Sequence, residues 1–255
     1  MNLPSKIFSD NTFRKVLIAG VIIVLGACII SQTLMQLGGG PRDEYMDLTD
    51  QLPENRDNSI DHTMIFEEGL PPFISSGGLF YPEKAVFDLG LGLGGLLFIL
   101  ISLEIFLRTN NELTEVSAPL WRKVANICQL ASGVVIGVSL FMITHYPFNV
   151  NLIAHLAYAM NIFHSSIIWG AAYTLSRAPM DSELRTLKGF SVTKVRWSLT
   201  VGTLLSFLLM TTLVPLGYGG LGALAEWCLT FCAELNLLTF LPALASMRIS
   251  TEENV

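Results

Sequence analysis

Leu70-Pro71-Pro72-Phe73-Ile74-Ser75-Ser76-Gly77-Gly78-Leu79-Phe80-Tyr81-Pro82-Glu83-Lys84 leads directly into an apolar, glycine-rich run that ends at Arg108. At 1.5 Å rise per residue that run is long enough to cross a bilayer. Pro82 suits the first turn of a helix, where its missing N–H is no loss. Glu83 and Asp88 follow at the helix N-terminus, where the macrodipole favours negative charge. The mouth of this helix is therefore the first place to look for a site, and a plain capped helix is the competing reading.

The rest of the chain has the same character. Of its 255 residues 51% are hydrophobic and only 14% charged, with a mean hydropathy of +0.54. Such a composition lies outside the soluble class. Long apolar runs with few charges, in place of ten-residue alternation, indicate an integral membrane protein built of helices and exclude an outer-membrane barrel. A nucleic-acid partner would require a basic stripe, and none is present.

Six segments reach spanning length, at about residues 15–37, 84–107, 121–146, 150–176, 196–218 and 220–246. The third and fourth are separated only by Tyr146-Pro147-Phe148-Asn149, and the fifth and sixth only by the glycine cluster Gly217 to Gly222. Both pairs are expected to form tight antiparallel hairpins. Leu25-Gly26-Ala27-Cys28 looks like a lipoprotein cleavage box, but apolar residues continue to Met35, so a retained first span is expected.

Lysines and arginines set the expected topology. With both termini inside, twelve of the fifteen fall on the inner side, leaving only Arg42, Arg56 and Lys84 outside. The positive-inside rule then places both termini in the cytoplasm. The loop 38–83, which holds ten of the 21 acidic residues, faces the lumen or exterior. Its first part, Gly38 to His62, lacks apolar periodicity and reads as irregular. From Met64 to Tyr81 it becomes apolar again and is expected to fold back over the bundle mouth. The predicted fold is one all-α, six-span membrane domain over 1–255 with a long first exoplasmic loop.

Gly90, Gly94 and Gly95 on the second span, with Gly133 and Gly137 on the third, read as small faces for close helix approach. No strand precedes them, so they do not suggest phosphate binding. Cys28, Cys128, Cys228 and Cys232 all lie in apolar segments and read as small buried hydrophobes.

Ionisable residues at membrane depth are costly and are the best pointers to function. Asp88, His155 and Glu226 each fall about 6–9 Å inside the outer span ends by helix rise, and His145 closes the third span at the same rim. These four groups define one outer layer beneath the Phe73–Pro82 segment. Glu226, Thr230 and Glu234 follow i, i+4, i+8 and share a stripe facing the bundle interior. Tyr158, Asn161 and His164 form a second stripe on the fourth span, with His155 half a turn from His164. Glu104 is expected to snorkel towards Arg108 at i+4.

Three readings of the outer layer stay open. It is a satisfied polar network in which His155 pairs with Glu226, a lipid head-group site, or a catalytic or metal site. No Ser-His-Asp spacing, His-x-x-x-His helix or paired-cysteine motif supports an enzyme, so no metal or cofactor is expected. The candidate lipid or ligand contacts are Ser75, Tyr81, Glu83, Asp88, His145, His155, Glu226 and Trp227. Were the protein an enzyme, His155 would be the base and Glu226 its orienting partner. Lys188, Lys194 and Arg196 are candidate contacts to anionic inner-leaflet lipid.

Three separated places carry a family resemblance: Pro72-Phe73-Ile74-Ser75 with Gly78 and then Pro82-Glu83-Lys84 and Phe87; His155 early in the fourth span; and Glu226-Trp227 near the start of the sixth. The chain resembles the damage-regulated autophagy modulator (DRAM) group and its Sfk-type and Frag-type relatives. Ser76 stands where relatives usually have Asp or Lys, and Ala85 where they have Cys. The first loop also lacks the cysteines common in long-looped relatives. The resemblance implies a eukaryotic endomembrane protein (lysosome, Golgi or ER) or a plasma-membrane protein. Its relatives act in autophagy, phosphoinositide-kinase localisation and remodelling of GPI-anchor lipid. The expected function is a non-enzymatic membrane protein that binds lipid or a protein partner and regulates membrane organisation, trafficking or autophagy. A lipid-modifying enzyme and an accessory subunit of a larger membrane complex are the alternatives.

Overall fold

The computed structural model describes residues 4–39, 45–46, 60–61, 72–186 and 188–245. Six helices dominate them: α1 (Asp10–Leu34), α2 (Glu83–Glu115), α3 (Leu120–Ile143), α4 (Leu152–Arg177), α5 (Val192–Leu213) and α6 (Gly219–Leu238). Each belongs to a segment long and apolar enough to cross a membrane. The helical six-span bundle expected from the sequence is the fold, although α2 runs on to Glu115 instead of ending near 107.

Local chemistry starts and stops the helices. Ser9 caps α1 by accepting the N–H of Thr12 at 3.2 Å, and Asn151 caps α4 by accepting that of Ala154 at 3.0 Å. Both satisfy N–H groups that have no partner inside the helix. Between α5 and α6 the chain turns through Gly217 at φ +87°, a conformation that costs glycine nothing.

Of the long first loop, Tyr45–Met46 (β1) and Ile60–Asp61 (β2) pair antiparallel, so the stretch expected to be irregular contains a short ladder. Most of that loop lies outside the described residues. The next described piece is a 3₁₀ turn, Ile74–Gly78, which lies against α1, α2 and α6 and roofs one end of the bundle. Residues 72–78 thus fold back over the bundle as expected.

Neighbours in sequence pack side by side, α1 on α2, α2 on α3, α3 on α4 and α5 on α6, while α1 closes the ring against α6. In lipid this packing is held by close van der Waals contact, which small residues permit. Gly95 of α2 faces the backbone of Gly137 on α3, so any Cβ at Gly95 would strike the Gly137 carbonyl. Gly90 and Gly94 likewise receive Ala27 and Val24 of α1. The core beneath is apolar and aromatic, centred on Phe98, Ile101, Trp169 and Tyr173. The cysteine expectation holds for Cys28 alone among fully buried positions; Cys128 and Cys228 are exposed because they sit on outward helix faces.

Aromatic side chains mark both ends of the bundle. Tyr81 and Tyr218 are exposed at the roofed end, Trp121 and Trp197 at the other. Amphipathic rings favour that placement at membrane–water boundaries.

Candidate functional site

Polar side chains from two helices fasten the roof. Glu226 on α6 accepts the backbone N–H of Ile74 at 2.7 Å. On the following residue, the Trp227 indole N–H donates to the Pro72 carbonyl at 2.9 Å. From α1, the Gln32 side-chain amide donates to the carbonyls of Phe73 and Ile74 at 3.0 and 3.1 Å. A backbone segment that leaves regular structure next to a membrane core must have its N–H and C=O groups satisfied, and these three side chains do so. Gln32, at the end of the first span, was not singled out in the sequence; a polar residue in an otherwise apolar span was the available signal.

Under the roof lies a cavity of about 70 Å³. Its walls are mostly apolar, among them Leu91, Phe98, Leu140 and Phe163. Its polar lining consists of Ser75 from the roof, His155 and Ser166 from α4, and Glu226, Thr230 and Glu234 from α6. The i, i+4, i+8 stripe on α6 therefore does face inward. By helix rise it extends about 12 Å from Glu226 to Glu234.

His155 and Glu226 share this cavity without pairing. The His155 Nδ1–H donates to the Tyr146 carbonyl at 2.8 Å, which leaves Nε2 as the ring's acceptor. Glu226 is committed to Ile74. Among the described residues no hydrogen bond or ion pair joins the two, so the expected His155–Glu226 pair is corrected to two separate attachments, each to backbone.

The outer layer is also smaller than expected. Asp88 forms an ion pair with Lys84 at 2.8 Å on its own helix and does not line the cavity. His145 is exposed; its Nδ1 lies 3.1 Å from both the Thr144 hydroxyl and the Phe141 carbonyl. Both groups sit at the rim because their helix faces point away from the roof. Tyr81 is 73% exposed, while Glu83 is fully buried at the start of α2, outside the cavity lining. Of the eight candidate contacts, the structure brings together Ser75, His155 and Glu226 in the lining and Trp227 as a roof tether. Asn161 and His164 turn outward near mid-span, where the His164 ring meets Phe207 edge-on.

The opposite end of the bundle is closed by a charge cluster that the sequence reading missed. Arg177 donates through Nε and Nη2 to Asp181, through Nη1 to Thr109, and through both Nη atoms to Glu112. Arg196 donates to Asp181 and to the hydroxyl and carbonyl of Thr239. Burial alone would raise the Asp181 carboxyl, but the guanidiniums of Arg177 and Arg196 outweigh it and hold it below the usual carboxylate range. The i, i+4 spacing of Arg177 and Asp181 was the signal in the sequence.

Arg196 therefore cannot serve as a lipid contact. It is fully buried because Asp181 and Thr239 supply acceptors on the inner side of α5. Lys188 and Lys194 are exposed, as a lipid contact requires. Glu104 also does more than snorkel. It is fully buried, meets Arg108 at 2.7 Å, and accepts the backbone N–H groups of Ile7 and Phe8, tying the segment before α1 to α2. A second cavity of about 380 Å³ opens among Asp10, Arg108, Glu112, Arg177 and Asp181, whose charges are engaged with one another.

Among the described residues no group of three or more His, Cys, Asp and Glu side chains is arranged to hold a metal ion. Nothing among the curated proteins or the solved structures matches the chain. The model of the Frag1/DRAM/Sfk1/Cwh43P N-terminal domain matches residues 53–245, a stretch that holds the roof, His155 and the Glu226–Trp227 pair. By that match over most of its length, the chain belongs to the Frag1/DRAM/Sfk1/Cwh43P family of membrane proteins.

Proposed function

We propose that the protein is a non-enzymatic, lipid-binding member of its family that regulates membrane organisation, trafficking or autophagy. In this reading both termini are cytoplasmic, and the roofed cavity opens toward the exoplasmic leaflet of an endomembrane or the plasma membrane. The supporting observation is the cavity itself: apolar walls, with Ser75, His155 and Glu226 grouped under a roof that is held by hydrogen bonds. Apolar walls with a few converging polar groups suit an amphiphile, and about 70 Å³ takes in one end of it and not a whole lipid.

Ala159→Phe tests this reading, because residue 159 lines the cavity and a ring there fills it. Lipid mass spectrometry of the purified protein should show less co-purified lipid for the variant at unchanged helix content. Equal lipid content in both proteins would overturn the reading.

Two observations keep alternatives in play. His155 and Glu226 line one space, as a lipid-modifying enzyme would need; His155→Ala would then abolish turnover without loss of folded protein. Asn161 and His164 are exposed near mid-span, where a polar group prefers a partner helix to lipid, as in an accessory subunit of a larger complex.

A further inference from the structure

Glu234 is 5% exposed, lines the roofed cavity, and its Oε2 has no hydrogen-bond partner among the described residues. A buried polar atom without a partner is uncommon and calls for an explanation. The lining around it gives one. Among the described residues no lysine or arginine lines the cavity. Lys84, a lysine at the roofed end, is engaged with Asp88.

The donors that do reach the cavity are mostly spent on backbone carbonyls. The Thr230 hydroxyl donates to Glu226 at 3.0 Å, the Ser166 hydroxyl to Ile162 at 2.8 Å, and the His155 Nδ1–H to Tyr146. Each of these groups then offers the cavity a lone pair. Together with the carboxyl oxygens of Glu226 and Glu234 they make a lining rich in acceptors, in which an ionised carboxyl has no counter-charge of its own. Among the described residues only the Ser75 hydroxyl and the Cys28 thiol, a weak donor, are left uncommitted.

Such a lining accepts a ligand that brings positive charge and N–H donors. About 70 Å³ is room for roughly two water-sized groups, which admits a small cation and excludes a bulky one. The acceptors are spread over α4 and α6, and among the described residues they are not gathered into a metal-binding group. That favours a hydrogen-bonding ammonium over a tightly coordinated divalent ion.

We infer that the cavity is a binding site for a small monovalent cation of the primary-ammonium type, with Glu234 as its carboxylate anchor and Thr230 and Ser166 as supporting acceptors. The same chemistry arises from a free cation or from an amine carried on an apolar tail. This inference goes beyond the lipid reading and stands or falls independently of it.

The test uses the full chain in neutral detergent, with unfolding temperature read at constant ionic strength. Methylammonium should stabilise the protein saturably, whereas tetramethylammonium, which has the same charge, no N–H and greater bulk, should not. Glu234→Gln, which keeps the volume, should weaken the methylammonium response at least tenfold. Dodecylammonium acting at much lower concentration than methylammonium would identify a tail-borne amine as the source. Methylammonium acting equally well would identify a free cation. Ala233→Ile fills the cavity and leaves the carboxylate in place, so it should also abolish the response even if Glu234→Gln folds poorly. Equal stabilisation by both ammonium ions, or a response unchanged in either variant, would overturn the inference.

Discussion

Glu226 accepts the backbone N–H of Ile74 at 2.7 Å, joining positions 152 residues apart in the chain. A carboxyl group on the last helix thus fixes the conformation of the loop before the second. Glu226→Ala should leave the buried Ile74 N–H unsatisfied, at a cost of about 1–3 kcal/mol. Glu226→Gln keeps a carbonyl acceptor and should cost less. Unfolding temperatures of the two variants, with limited proteolysis at residues 72–80, would read the difference.

The roof tethers should act together. Gln32→Leu removes the donors to Phe73 and Ile74, and Trp227→Phe removes the donor to Pro72. Each should cost about 1 kcal/mol. A double-mutant cycle should show coupling of at least 0.5 kcal/mol, roughly the lower limit for groups sharing one segment. Strict additivity would show that the roof is held elsewhere.

Asp181 lies between two buried guanidiniums, and Asp181→Asn should be severe. Removing one partner from a buried ion pair costs about 3–5 kcal/mol. The pH dependence has a definite sign. A carboxyl held below its usual value of 3.8 stabilises the fold fully above that pH. Its contribution is lost as pH falls through the still lower folded value. The wild type should therefore lose stability below about pH 4, and any folded Asp181→Asn protein should change less over the same window. Unfolding curves across that range would show it.

Much of this was legible in the sequence. Span number follows from apolar run length, and the inward stripe Glu226, Thr230, Glu234 follows from helical spacing. What could not be read is which partner each buried polar group takes. His155 and Glu226 lie at similar depths, yet each bonds to backbone because Tyr146 and Ile74 are nearer than the opposing side chain. Depth along a helix is one coordinate; rotation of each helix about its axis is another, and tertiary packing sets it. The same reason explains Arg196, which counts as an interfacial cation by position and is buried by rotation.

The basic loop supplies a test of that difference. Lys188→Ala and Lys194→Ala should each weaken binding to anionic liposomes roughly fivefold, as expected for one exposed charge near a surface. Arg196→Ala should instead lower folded yield, because it strips Asp181 of a counter-charge.

Two glycines make a contrasting pair. Gly95→Ala would drive a methyl group into the Gly137 backbone and spread α2 from α3, so it should destabilise by 1–3 kcal/mol or about that. Gly26→Ala meets nothing within 4 Å and should be neutral or stabilising by up to about 1 kcal/mol. Thermal unfolding of both proteins is the measurement.

The arginine cluster has a consequence for biosynthesis. Arg196 rides on the fifth helix, but two of its three hydrogen bonds are to Thr239, which emerges from the ribosome only after the sixth helix. Until then a permanently charged group on an inserted helix waits half-served. Chains truncated ahead of Thr239 should therefore leave this guanidinium with Asp181 and the Tyr173 ring alone.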